Sequence, residues 1–223
     1  MTGRLLTRRI AGVSAEGVRD RVEMLRPIGN PLPLGFLGLG GGTLLVSGLQ
    51  LGWLAPEQGK DVALMLIAFV FPLQLIASLY GFVGRDVVAG TGMGVLAGSW
   101  LSVALVTLTS EPGATSDALG LLLLVSAVGL AIAAIAATAG KLVATVVLGT
   151  AAVRFACTGL YELTASSTWE DVAGAVGLVL LAFGVYAALA IALEEARRTT
   201  VLPTGRRGAG LGVAEEPGIR PQL

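Results

Sequence analysis

The chain has 223 residues, 54% of them apolar and 13% charged, with a mean hydropathy of +0.82. Half the usual charged share leaves too little polar surface for a soluble domain of this size, and so much apolar area excludes disorder for the central part. Fifteen cations balance fifteen anions and there is no histidine, which excludes a bulk field for nucleic acid, a Ser-His triad and His-ligated zinc or haem.

Eighteen of the thirty charges lie in two tails, residues 1–34 and 194–223, leaving twelve for the stretch between. The single cysteine, Cys157, allows no intrachain disulfide. No metal-ligand cluster and no nucleophile–base pair stands out, so neither a cofactor nor an enzyme is expected. The composition is that of an all-α membrane protein with several spans.

The N-terminal arm, residues 1–29, is basic, with Arg4, Arg8, Arg9, Arg19, Arg21 and Arg26. Its mixed-charge stretch from Ser14 to Arg26 fits a short interfacial helix or a flexible arm. No apolar run follows within it, so a cleavable signal peptide is not expected.

A hydrocarbon core about 30 Å thick needs roughly 20 helical residues per crossing. Six segments satisfy this, at about 34–54, 62–83, 88–109, 118–139, 142–163 and 171–193. Strand-period alternation is missing, which argues against a β-barrel. With six alternating spans, thirteen Lys and Arg fall on the side of the termini and only Lys60 on the other, Arg154 lying within a span. By the positive-inside rule both termini are cytoplasmic and the protein is a multi-pass protein of the cell membrane. Residues 30–205 form the six-helix domain; the Gly- and Pro-rich residues 206–223 read as a disordered tail.

Glycines recur at four-residue spacing. Gly38 and Gly42, and Gly48 and Gly52, do so in the first span, and Gly90, Gly94 and Gly98 in the third. Such rows let helix backbones approach closely.

Polar residues also align on helical faces: Thr43, Ser47 and Gln50 in the first span, Gln74 and Ser78 in the second, Thr91, Ser99 and Ser102 in the third, and Thr150, Arg154, Thr158 and Tyr161 in the fifth. Four striped helices fit a hydrated interior or a set of interhelical hydrogen bonds. An arginine inside the membrane is a functional or paired residue by default. Two readings of Arg154 stand: a buried pair with a carboxylate on another helix, or an attractor for an anion. No Asp or Glu lies at mid-depth, so a carboxylate proton relay is hard to build.

Residues Asn30-Pro31-Leu32-Pro33-Leu34-Gly35 resemble the signature that opens the first span of the acetate uptake transporter (succinate–acetate permease, YaaH-like) family. Gln74 matches a glutamine of that family's second span. Gly98-Ser99-Trp100-Leu101 resembles its third-span pattern, and Arg198 to Gly205 resembles its closing motif with one residue inserted. Asn30 suits a helix cap and Pro31 a first turn, whose spare N–H groups would face an anion.

The resemblance implies a homohexamer in the lipid bilayer. Each protomer would have its own pore for acetate and related short monocarboxylates, with succinate a further candidate, acting as anion channel or proton-linked symporter. It places an apolar constriction at Leu39, Leu96 and Ala151, where family members carry bulkier or aromatic residues. The pathway expected on these grounds comprises Asn30, Pro31, Leu34, Leu39, Thr43, Gln50, Gln74, Leu96, Ser99, Ala151 and Arg154. Rival readings are a transporter of another small solute such as ammonium, and a membrane scaffold or carboxylate sensor that does not transport.

Overall fold

The computed structural model describes residues 29–197 and 199–206. The arm around Ser14 to Arg26 and the tail beyond Arg206 lie outside the described residues. Six helices are long and apolar enough to cross a membrane: α1 (Leu32–Gln50), α2 (Pro56–Val83), α3 (Val87–Thr109), α4 (Asp117–Ala137), α5 (Leu142–Thr164) and α6 (Ser167–Arg197). No strand occurs among the described residues, only one isolated backbone bridge between Lys141 and Arg206.

The helix starts follow local chemistry. Asn30 Oδ1 accepts from the Leu32 N–H at 3.1 Å, ahead of a first turn that tolerates Pro33. Asp86 caps α3 through the Ala89 N–H at 3.0 Å, and Ser116 caps α4 through the Leu119 N–H.

The ends differ from expectation where turns intervene. α1 stops at Gln50, not 54, because the chain turns through Gly52 at φ +68° and the Trp53 and Leu54 amides both bond the Gly48 carbonyl. α2 starts earlier than expected, at Pro56, so Lys60 and Asp61 sit on its first turns rather than in a loop. α6 also runs longer, taking in Ser167 to Glu170 at one end and Glu194 to Arg197 at the other. Its 31 residues span about 46 Å, so its charged ends reach past a 30 Å hydrocarbon layer.

α2 is not uniform. Leu66–Val70 forms a π-turn, and the Phe71 N–H bonds the Leu66 carbonyl five residues back. The cause is Pro72, which has no N–H to give and whose ring crowds the carbonyl one turn earlier.

Each helix packs on its neighbours in sequence, and α6 closes back on α1, making a ring of six around one axis. Small residues set the closest approaches. A Cβ added to Gly81 would lie 2.7 Å from the Gly90 nitrogen, and one on Gly120 would lie 2.9 Å from the Gly159 carbonyl. Gly38 and Gly42 meet α2 at Leu73 and Val70, as their spacing predicts, but Gly98 faces open space. The outer faces are apolar: Val125 and Ile135 of α4 are each 70% exposed, which suits lipid or a neighbouring protomer.

The segment after α6 folds back across one end of the ring. Tyr186 Oη donates to the Pro203 carbonyl at 2.9 Å, and Arg206 pairs with Glu194 at 3.0 Å. Gly205, at φ +62°, lies where a Cβ would strike Leu142 at 2.7 Å, so glycine is required there. The neighbouring Lys141–Asp86 pair, at 2.7 Å, ties the α4–α5 connection to the α2–α3 connection at the same end.

Candidate functional site

Among the described residues, two cavities enter the ring from opposite ends. The larger, about 140 Å³, begins among Lys60, Glu111, Glu162 and Glu170 and ends on Gln50, Trp100 and Arg154. The smaller, about 10 Å³, is bounded by Leu32, Phe36, Met93, Leu148 and the Asp86–Lys141 pair. They share no lining residue. On three helices one fully buried apolar residue stands between them: Leu39 on α1, Leu96 on α3 and Ala151 on α5, all 0% exposed. Each lies three residues past a lining residue of the small cavity (Phe36, Met93 and Leu148). On α3 and α5, the residues from Met93 to Trp100 and from Leu148 to Arg154 span about 10 Å of axis at 1.5 Å per residue.

Arg154 forms the floor of the large cavity and is itself 1% exposed. Its Nη2 donates to Gln50 Oε1 at 3.3 Å and to Ser47 Oγ at 3.4 Å, both long contacts. Gln50 Nε2 donates in turn to Thr158 Oγ1 at 3.4 Å. The guanidinium lies over the Trp100 ring, 5.4 Å from its centroid, and Phe155 meets that ring edge-on at 5.5 Å. Gly177 of α6 makes the room: a Cβ there would fall 2.6 Å from Arg154 Nε and against Ser47 Oγ.

The two ion pairs among the described residues are Lys141–Asp86 and Arg206–Glu194, and neither includes Arg154. Of the two readings of Arg154, a pair with a carboxylate on another helix is not formed among the described residues. A charge held at mid-membrane costs on the order of 3 kcal/mol on insertion scales.

Other polar atoms along the axis are also unmatched. Thr43 Oγ1, both amide atoms of Gln74, Trp100 Nε1 and Arg154 Nε are buried without a hydrogen-bond partner. Buried polar atoms are almost always paired. Five unpaired ones, between the cavities and at the floor of one, mark a place where water or a solute completes the bonding.

The pattern of the GPR1/FUN34/yaaH family matches residues 20–206. The chain belongs to this family. A solved structure described as the bacterial acetate channel SatP superposes with a TM-score of 0.71 at 26% identity, covering 80% of this chain and 100% of the other. No curated protein matches the chain.

The expected pathway residues of this family member divide into three groups. Leu39, Thr43, Gln50, Gln74, Leu96, Ala151 and Arg154 are buried inside the ring, at or between the cavities. Asn30 and Pro31 stand at the start of α1, beside Leu32 and the small cavity. Ser99 and Leu34 are placed elsewhere. Ser99 Oγ donates to the Val95 carbonyl and bonds Ser126 of α4, so it stitches two helices together. Leu34 is 37% exposed on the outer face of α1, together with Leu37 and Leu44.

Sequence reasoning missed Gly177, Ser126 and the stacking of Trp100 on Arg154. A glycine among thirty-two carries no signal of its own, and Ser126 stands alone on its span. Pro72 within an apolar run was the available sign of the π-turn.

Proposed function

We propose that the protein carries acetate and related short monocarboxylates across a cell membrane, through one path along the axis of each protomer. The observation that carries this reading is a pair of cavities that enter from opposite ends of the ring and share no lining residue, with buried Leu39, Leu96 and Ala151 and unpaired polar atoms at the levels between them. Family membership and the likeness to an acetate channel support the same substrate class.

A bare carboxylate in hydrocarbon faces an idealised cost on the order of 20 kcal/mol. The large cavity keeps the solute hydrated to the level of Arg154, which leaves about 10 Å of narrow neck to cross. Gln74 and Thr43 offer hydrogen bonds beside that neck. Leu39 and Leu96 shift their rotamers to let a two-carbon acid through and hold back larger solutes. A fixed cation on the wall opposes ammonium, which disfavours the rival solute.

The thirteen-to-one division of cations supports cytoplasmic termini. The small cavity, the Lys141–Asp86 pair and the folded-back segment then face the cytoplasm, and Lys60, Glu111, Glu162 and Glu170 face outward. The uncovered apolar faces of α2 and α4 and the open Gly98 leave room for neighbours in a homohexamer.

The test is uptake of labelled acetate by liposomes containing the purified protein, with a pH gradient imposed or absent. Uptake well above that of empty liposomes is expected. Dependence on the gradient separates symport from channel flow. Uptake equal to that of empty liposomes rules the reading out.

A further inference from the structure

Among the groups inside this ring, Arg154 has the largest unmet demand. Arginine stays protonated in proteins, no carboxylate of the described residues pairs with it, and its two hydrogen bonds are long. The cavity above it, about 140 Å³, is roughly ten times the space one water needs. It therefore has room for a small ion with water around it. The indole N–H of Trp100 is a second unpartnered donor, on the ring that the guanidinium covers.

We propose that Arg154, Gln50 and Trp100 form a resident binding site for one monocarboxylate anion, and that this anion supplies the counter-charge that the described residues do not. The carboxylate accepts from the guanidinium in a charge-assisted bond and from the Gln50 amide or the Trp100 indole. Its short apolar tail points up the cavity, between Val46, Leu66 and Phe155.

The same surroundings set the charge class. One cation at the floor matches one carboxylate. A second carboxylate on the ligand would lie in this apolar stretch or approach Glu111, Glu162 and Glu170, with Lys60 the one cation at that end of the lining. The site therefore favours acetate and propionate over succinate, by at least tenfold in affinity.

This proposal shares its axial path with the transport reading, and equilibrium binding separates the two. Labelled acetate is titrated into the purified full chain in detergent, for wild type, Arg154→Leu, Arg154→Lys and Trp100→Phe, with propionate and succinate as competitors. Flux is measured on the same preparations in liposomes.

The expected result is saturable binding of about one acetate per chain, weakened tenfold or more by Arg154→Leu, and by less in Arg154→Lys and Trp100→Phe. Propionate competes and succinate competes poorly. Should Arg154→Leu fail to elute as the wild-type oligomer, the Lys and Phe variants carry the comparison.

Undiminished acetate binding in folded Arg154→Leu, no saturable binding by wild type, or equal competition by succinate overturns the site. If flux persists in those cases, the transport reading stands without it. Arg154-dependent binding without flux upholds the site and removes the transport reading.

Discussion

At the scale of single residues, one cation organises the interior. Arg154 draws Ser47 and Gln50 of α1 and Trp100 of α3 toward α5, and Gly177 of α6 leaves the space it occupies. Gly177→Ala puts a methyl group where Arg154 and Ser47 already are. Overpacking of this kind costs about 1–3 kcal/mol. We predict a lower thermal midpoint for Gly177→Ala, and recovery of part of the loss when Arg154→Leu is added, since Ser47 Oγ still faces the new methyl. A penalty unchanged in the Arg154→Leu background would show that Gly177 serves something other than the guanidinium.

The polar stripes of α1 and α5 were legible in the sequence because helical spacing puts Thr43, Ser47 and Gln50, and Arg154 and Thr158, on single faces. That these two faces meet was not legible, since periodicity within a helix says nothing of which neighbour it addresses. For the same reason Ser99 reads as a pathway residue, whereas it bonds Ser126. The proposed neck positions are legible only through family resemblance: in a chain 54% apolar, nothing local distinguishes Leu39 from Leu34.

At the scale of helices, glycine spacing marks contacts but not all of them. Gly90 and Gly98 lie eight positions apart in one row of α3 and look alike in the sequence. In the fold, a Cβ on Gly90 would lie 2.7 Å from the Phe82 ring, while one on Gly98 meets nothing within 4 Å. Gly90→Leu is expected to separate α2 from α3 and to lower the yield of folded protein sharply. Gly98→Leu is expected to leave the protomer intact. Size-exclusion elution and thermal midpoints of the two variants check this. Equal damage from both would mean that Gly98 is covered, and a change of mass in Gly98→Leu alone would locate a protomer contact there.

The number and order of the helices were readable from apolar length, but their ends were not. α1 closes early because of the turn at Gly52, and α6 runs on at both ends because charged residues lie beyond the hydrocarbon yet remain helical. The interruption in α2 also escapes a hydropathy reading, since Leu66–Val70 is as apolar as its flanks.

At the scale of the molecule, a ring of six helices encloses two cavities that stop short of each other. On the proposed transport reading, the short neck between them is the barrier to flow. The most direct measurement compares labelled acetate flux through Leu39→Trp with that through Leu189→Trp, a control on the outer face of α6 where the residue is 51% exposed, both folded and reconstituted at equal density. We predict at least tenfold loss of flux for Leu39→Trp and flux within twofold of wild type for Leu189→Trp. Full flux through a folded Leu39→Trp protein would contradict an axial path through this neck.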